Sequence, residues 1–307
     1  MRRTLVIVLV LLCSGCSSAA PSPSGGSQVI ARVGPTAITN ELFQVRLTSA
    51  LTSVAIAGGP TNNPAMRSQV RASVLRSLII DTVIAQEAAA SGVAATDAEV
   101  QAQVQADVTA AGGTNQLQSR LASLGGSMAQ LHDEITSSIN EQKLEDVFAK
   151  QRALEIEQKL AAGVSFATLA AQYSDDTTTA PKGGELGAVS RTQVQGDDPV
   201  YAGPVLALVA GRYTTTPIRD AQGYDIVQLE SSTATTLRLR HIVVNAPEPY
   251  TVKERPNWFG EAIFESIAQD CSANQIHVYV GDVGDDLCAA VSASAAPSPV
   301  VTPVHTP

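Results

Sequence analysis

The stretch Phe166-Ala167-Thr168-Leu169-Ala170-Ala171-Gln172-Tyr173-Ser174-Asp175-Asp176, followed by Lys182-Gly183-Gly184-Glu185-Leu186-Gly187, constrains the fold of this chain most. Phe166, Leu169, Ala170 and Tyr173 recur at i, i+3, i+4 and i+7, the spacing that gathers apolar side chains on one face of a helix. Gly183 and Gly184 predict a tight turn, because glycine enters φ > 0 without a Cβ clash. An amphipathic helix, an acidic loop and a glycine turn therefore follow one another, and the helix must bury its face against a neighbouring element.

The chain beyond this run is β-rich in three places. Residues 213–218 and 224–230 read as strands joined through residues 220–223, and residues 204–209 read as a short helix before them. A third strand, Leu237-Arg238-Leu239-Arg240-His241-Ile242-Val243-Val244, follows after a short polar stretch, residues 231–236. The order "FA-LA--YS-D---A-KGG-LG", then Gly223-Tyr224-Asp225-Ile226-Val227, resembles the parvulin-type peptidyl-prolyl isomerases. Members of that family open with an "RHILV" strand, which here is absent ahead of Phe166 and is matched by Arg240-His241-Ile242-Val243. Three arrangements are open: a second, truncated unit; an extra edge strand with a surface histidine; or a circularly permuted unit in which this strand fills the vacant place. The first and last strands of the family sheet are antiparallel neighbours, so a hairpin through residues 231–236 makes permutation an easy topology.

The resemblance implies a site. His241 stands for the first family histidine, Asp176 for the polar group that the family fills with Cys or Asp, and Asp225 for the second histidine. Leu186, Val194 and Tyr201 stand where the family places its proline-pocket side chains. Two carboxylates around one imidazole favour imidazolium. The chemistry implied needs neither nucleophile nor metal, since the obstacle is the partial double bond of the amide. No cofactor and no metal ligand set is expected. His132, His277 and His305 are isolated and read as surface or packing residues.

Upstream, Val29–Val33 alternates as a strand, and Thr39 or Asn40 can cap a helix carrying Leu42, Phe43 and Leu47. Leu75, Leu78, Ile79, Thr82, Val83 and Gln86 keep helical spacing as far as Ser91-Gly92. Thr96-Asp97-Ala98-Glu99 and Ser127-Met128-Ala129-Gln130 read as capping boxes opening two more helices. This order resembles the N-terminal domain of SurA- and PrsA-type extracytoplasmic chaperones. By that resemblance, residues 276–280 return after the parvulin-like unit and pair with Val29–Val33, behind a helix over residues 257–270 that carries Trp258, Phe259, Ile263 and Ile267. The class expected is α+β: a helical SurA-like N-terminal domain plus a small parvulin-like antiparallel sheet with helices, circularly permuted as the favoured one of the three arrangements. The organisation expected is 1–15 signal, 16–27 flexible tether, 28–150 helical chaperone domain, 151–246 parvulin-like domain, 247–291 return segment and 292–307 disordered tail.

Arg2-Arg3, the apolar residues 5–12 and Cys13-Ser14-Gly15-Cys16 describe a bacterial lipoprotein signal, with Cys16 acylated; an ordinary secretory signal is the alternative. Eight apolar residues are too few to span a bilayer. Cys271 and Cys288 are then the remaining pair, either a disulfide or two separate thiols, and an oxidising compartment favours the disulfide. The formal charge of −9, with no long Lys/Arg cluster, argues against nucleic acid. The location implied is the bacterial cell membrane, outside the cytoplasm, and the partners are unfolded or newly secreted polypeptides plus the membrane through Cys16. Two functions compete: a foldase that isomerises prolyl bonds, and a non-catalytic holdase or assembly chaperone on the same fold. A transporter's substrate-binding lipoprotein is weaker, because repeated βα units are missing.

Overall fold

The computed structural model describes residues 28–246, 256–281 and 287–289, and within them one long helix joins two sheets. The elements are β1 (Val29–Val33), β2 (Thr36–Thr39), α1 (Asn40–Ile56), α2 (Pro64–Ala90), α3 (Asp97–Ala111), α4 (Thr114–Ser123), α5 (Met128–Ala161) and α6 (Phe166–Tyr173). A 3-10 turn (Ala180–Lys182) leads into β3 (Glu185–Ser190), α7 (Arg191–Gln195), α8 (Pro199–Leu206), β4 (Arg212–Tyr213), β5 (Ile218–Arg219), β6 (Gly223–Ser232), β7 (Thr236–Asn245), α9 (Asn257–Ser272) and β8 (Ile276–Val278). The signal, the tether, Cys16 and the tail lie outside the described residues.

Helix starts follow the capping chemistry. The Thr39 side chain accepts from Leu42 N–H, and Asn63 caps α2 ahead of Pro64. Thr96 and Glu99 complete a capping box at α3. At α5 only half of the expected box forms. Ser127 accepts from Gln130 N–H, but the Gln130 amide is engaged elsewhere: its Oε1 accepts from Ser49 at 3.0 Å and its Nε2 donates to Glu134 at 3.2 Å.

β1 is the centre of a three-stranded sheet in the order β2-β1-β8. Ala31 faces Val278 and Val33 faces Ile276, antiparallel, so the far end of the chain does close the N-terminal sheet. β8 is shorter than residues 276–280, although Tyr279 N–H still donates to the Ile30 carbonyl. Cys271 and Cys288 are bridged, with Cα atoms 5.5 Å apart.

α5 packs against α2 and α3 and, further along, against β6 and β7. Residue 150 falls inside it, so the helical part and the second sheet share this element. That sheet runs β3-β7-β6-β4, with β5 also on β6, all antiparallel. β7 is therefore a central strand, paired with β3 on one side and β6 on the other. This is the position the permuted arrangement requires, and it is incompatible with an edge strand. Side chains alternate between faces. Tyr224, Ile226, Ile242 and Val244 face a core built with Ile156, Leu169, Phe259 and Ile267. Val227, Leu229, Leu237 and Leu239 face a second core with Val194, Ala202, Val205 and Ile218.

Two sequence expectations need correction. The strand expected over residues 213–218 is two short bridges, because Pro217 has no N–H to donate and Thr214 turns its hydroxyl inward to accept from Val227 N–H at 3.1 Å. The short helix expected over residues 204–209 is α8, which starts earlier. Asp198 caps it and Pro199 occupies its first turn, while Pro204 lies inside it and has no N–H to offer the carbonyl four residues back.

Candidate active site

His241 lies on β7 two residues after Leu239, and Asp225 lies on β6 two residues before Val227, so both side chains share the face of the second core. Val227 is directly opposite His241 and Asp225 opposite Val243, which makes Asp225 and His241 diagonal neighbours. Nδ1 of His241 stands 3.3 Å from Asp225 Oδ2, and Nε2 stands 2.9 Å from Asp176 Oδ2. The three residues that sequence reasoning singled out for the polar site are thus in contact.

The loop after α6 holds Asp176 in place. Thr178 N–H donates to its Oδ1 at 3.0 Å, and the Thr179 hydroxyl bridges Asp176 Oδ2 and His241 Nε2, 3.0 Å from the latter. Gly184 closes the loop on the strand: its N–H donates to the Thr179 carbonyl, and its own carbonyl accepts from His241 N–H, both at 2.9 Å. Gly184 has φ +79, and a Cβ there would meet the His241 carbonyl oxygen at 2.2 Å. Arg240 buttresses the same turn, donating to the Gly183 carbonyl at 2.9 Å and to Glu185 at 2.7 Å. Thr179 and Arg240 were not singled out from sequence. A threonine in a polar loop gives no signal of its own, whereas Arg240 sits beside His241 and pointed to no partner.

Burial and charge set the protonation of this cluster. The His241 side chain is 12% exposed, Asp225 7% and Asp176 25%. Partial burial works to raise Asp176, but donors from Thr179, His241 and Thr178 outweigh it and hold its pKa down at about 2. Burial pushes the Asp225 carboxyl up, opposed by the His241 ring. Burial would lower His241, yet the hydrogen bonds and charges of Asp225 and Asp176 win and hold it above its ordinary 6.5. The imidazolium, which donates from both nitrogens, is the form that matches two carboxylate neighbours.

These shifts predict a pH window. The lowered Asp176 contributes stability that is present above its unfolded value of 3.8 and is lost as pH falls through about 2. The raised His241 contributes stability that is complete below 6.5 and is lost as pH climbs through its folded value. The denaturation-midpoint difference between wild type and His241→Ala should therefore peak between about pH 4 and 6.5 and shrink on either side. A difference that keeps growing towards alkaline pH would contradict the imidazolium.

The apolar side of the site is on the same face. Val194 is buried in the second core, and Leu186 and Tyr201 are half-buried against it. Leu186 falls at a bulge in β3, between Glu185, opposite Arg240, and Gly187, opposite Leu239. The extra residue frees the Leu186 side chain from the strand ladder. Tyr201 rides on α8, and its hydroxyl is pushed above its ordinary value by burial and then by Asp225.

A second junction ties this site to the return helix. Asp175 Oδ2 accepts from Asn245 N–H at 2.8 Å and from Trp258 Nε1 at 2.9 Å, and Asp175 N–H donates to the Val243 carbonyl at 2.8 Å. One loop residue thus fixes both β7 and α9.

The SurA-like N-terminal domain family matches residues 3–145, and the PPIC-type PPIASE domain family matches residues 130–231. The second match ends before β7, so His241 reaches the sheet through topology from outside the matched stretch. Chaperone SurA of Chromohalobacter salexigens is 40% identical over 85 residues, 28% of this chain and 19% of that protein. Foldase protein PrsA of Pediococcus pentosaceus is 36% identical over 83 residues, 27% of this chain and 28% of that protein. Foldase protein PrsA 2 of Listeria innocua is 33% identical over 87 residues, 28% and 29% of the two chains. Each match thus spans less than a third of the relative's own length. A crystal structure of the peptidylprolyl isomerase PrsA from Bacillus anthracis covers 66% of this chain and 98% of its own at 19% identity, with a TM-score of 0.24. The two family matches together run from residue 3 to residue 231, a stretch similar to SurA-like N-terminal domains followed by one similar to PPIC-type rotamase domains.

Proposed function

We propose that this chain is an extracytoplasmic foldase that binds unfolded polypeptides and catalyses prolyl cis/trans isomerisation. The observation that supports this best is the His241–Asp176–Asp225 cluster on the same sheet face as Leu186, Val194 and Tyr201. A proline ring would rest on Leu186 and Tyr201, with Val194 packed behind them, and its amide would then lie beside the polar cluster. No bond to the protein forms. The barrier, about 18–20 kcal/mol, is the resonance of the amide, and a site lowers it by favouring the twisted form over the planar one. A charged imidazole held by two carboxylates is fixed before substrate arrives, so it does not have to reorganise as the amide loses resonance. His241, Asp176 and Asp225 are the polar groups of this reading, and Leu186, Val194 and Tyr201 its proline pocket.

The helical part over residues 28–150 would hold clients, the parvulin-like part over 151–246 would act on their prolines, and the return segment over 247–291 would lock the two together. Acylation of Cys16 would keep the protein on the outer surface of the cell membrane. Among the described residues no helix is long and apolar enough to cross a membrane. The disulfide between Cys271 and Cys288 suits an oxidising compartment. Labelling with a radioactive fatty acid, lost in Cys16→Ala, tests the anchor.

A second reading is favoured by one observation: Asp225 replaces the histidine expected there, and both ring nitrogens of His241 already have partners. On this reading the domain binds proline segments and suppresses aggregation without accelerating isomerisation. Leu186→Ala separates pocket from scaffold. It should weaken binding of a prolyl peptide several-fold while leaving the melting temperature of the N-terminal sheet in place. Unchanged peptide affinity would remove Leu186 from the pocket.

A further inference from the structure

α9 carries two stripes of side chains. Phe259, Ile263 and Ile267 are buried in the first core. Trp258, Glu261, Ala262, Glu265 and Gln269 recur at i, i+3, i+4, i+7 and i+11, and this second stripe borders a groove of about 380 Å³ against α5. Phe148, Arg152 and Glu155 line the α5 side, again at helical spacing. Two aromatic rings form its base. Trp258 is 7% exposed, and Phe148 packs partly buried against the core with its ring centroid 5.9 Å from that of Phe259. The carboxylates form its rim, since Glu155, Glu261 and Glu265 are exposed. No other described residue forms an ion pair or hydrogen bond with any of the three. Among the described residues lining the groove Arg152 is the single cation, and it is already engaged: its guanidinium lies 5.7 Å from the Trp258 ring centroid and 5.1 Å from that of Tyr173. The groove therefore joins an apolar base to an excess of negative charge.

We infer that this groove captures an extended segment of an unfolded polypeptide that carries two basic residues, one residue apart. Only the nature of the occupant, an unfolded chain, rests on the proposed function. Glu261 and Glu265 are four residues apart on α9, about 6 Å along the helix axis. Residues i and i+2 of an extended chain share a face at about 6.6 Å, so two lysines or arginines spaced in this way match the two carboxylates, and Glu155 answers from the α5 side. Their aliphatic stems lie over Phe148 and Trp258 while the charged ends stay at the wet rim. The groove runs from Trp258 to Gln269, about 16 Å, which is the length of about five extended residues. An acidic segment meets like charges on both walls and is rejected. His241, Asp176 and Asp225 are not among the lining residues, so capture does not require proline.

The test uses the full chain and short fluorescent peptides without proline that differ only at their centre: Lys-Leu-Lys, Gln-Leu-Gln or Glu-Leu-Glu. Anisotropy titrations at low and high salt compare wild type with the triple variant Glu155→Gln, Glu261→Gln, Glu265→Gln. A second triple variant, Glu41→Gln, Asp97→Asn, Asp133→Asn, removes the same charge from exposed positions that do not line the groove, and so separates the groove from the overall charge of −9. All six positions are exposed, and circular dichroism checks the fold. The Lys peptide should bind wild type about tenfold more tightly than the Glu peptide at low salt, the factor to which two or three exposed ion pairs add up. The ratio should fall towards one at high salt and in the groove variant, and persist in the second variant. Ala262→Trp, which fills the groove without changing its charge, should weaken the Lys peptide as well. Equal affinities, no binding of any peptide, a preference that survives loss of the three glutamates, the same loss in both triple variants, or undiminished Lys binding in Ala262→Trp overturns the inference. Isomerisation of a separate prolyl peptide distinguishes it from the proposed function. A Lys preference in a chain without catalysis leaves the groove standing and removes the isomerase, and catalysis without a Lys preference does the reverse.

Discussion

Gly184→Ala should cost at least about 3 kcal/mol and detach the loop carrying Asp176 from β7. Two separate effects add. At φ +79 any L side chain is strained, by about 1–2 kcal/mol. The new Cβ would also sit 2.2 Å from the His241 carbonyl oxygen and 3.1 Å from Ala170 Cβ. The first of these neighbours is backbone in a central strand and cannot step aside. Relief requires the turn to move, and that breaks the bond from His241 N–H to the Gly184 carbonyl. Gly187 supplies the control. Its φ is +75, yet nothing lies within 4 Å of a Cβ built there, so Gly187→Ala should carry the conformational term alone. Urea midpoints of the two variants measure the difference. Equal losses would mean that the close approach of Gly184 to β7 contributes nothing.

Removing the disulfide is the second large effect. The bridge joins Cys271, near the end of α9, to Cys288, at a sequence separation of 17, and β8 lies inside that loop. Closing a loop of this length is worth about 3 kcal/mol in the chain-entropy account. β8 is only three residues long and is held by its pairing with β1. Without the bridge it is a short edge strand on a short tether, and such pieces open first. Cys271→Ser with Cys288→Ser should therefore lower the unfolding midpoint and speed proteolysis within β8 before the rest of the chain. The same shift should follow addition of reductant to wild type and be absent when reductant is added to the variant. A midpoint unaffected by either treatment would show that the closed loop adds no stability.

Much of the scaffold was legible because it rests on local chemistry. Thr96 and Glu99 cap α3 through their own backbone neighbours, and Leu75, Leu78, Ile79 and Val83 turn one face of α2 to the core, so residue order is enough. The pairing of β6 with β7 was legible for a similar reason, since a short connection leaves few alternatives to a hairpin. Other features depend on contacts distant in sequence. Gln130 fails to complete its capping box because Ser49, on another helix, reaches it first. Thr179 becomes part of the site because the Gly183-Gly184 turn brings β7 against its loop, 62 positions away. The buried, unpartnered oxygen of Asp225 is also invisible in sequence, because it depends on which donors the distant elements packed over it bring near. The early start of α8 was a local signal passed over: Asp198 before Pro199 is a cap followed by a first-turn proline.

Catalysed isomerisation by this chain requires His241 and its two carboxylates to act on a prolyl amide. The rate of cis-to-trans conversion of a proline tetrapeptide, measured against enzyme concentration for wild type and His241→Ala at about pH 6, tests this most directly. The imidazolium is the expected form there, since the folded pKa lies above 6.5. Wild type should accelerate conversion in proportion to its concentration, and His241→Ala should lose tenfold or more of kcat/KM while keeping the disulfide and the fold, a loss of about 1.4 kcal/mol in transition-state stabilisation. A wild-type rate equal to the spontaneous rate at every concentration, or full activity in the His241→Ala variant, would contradict it.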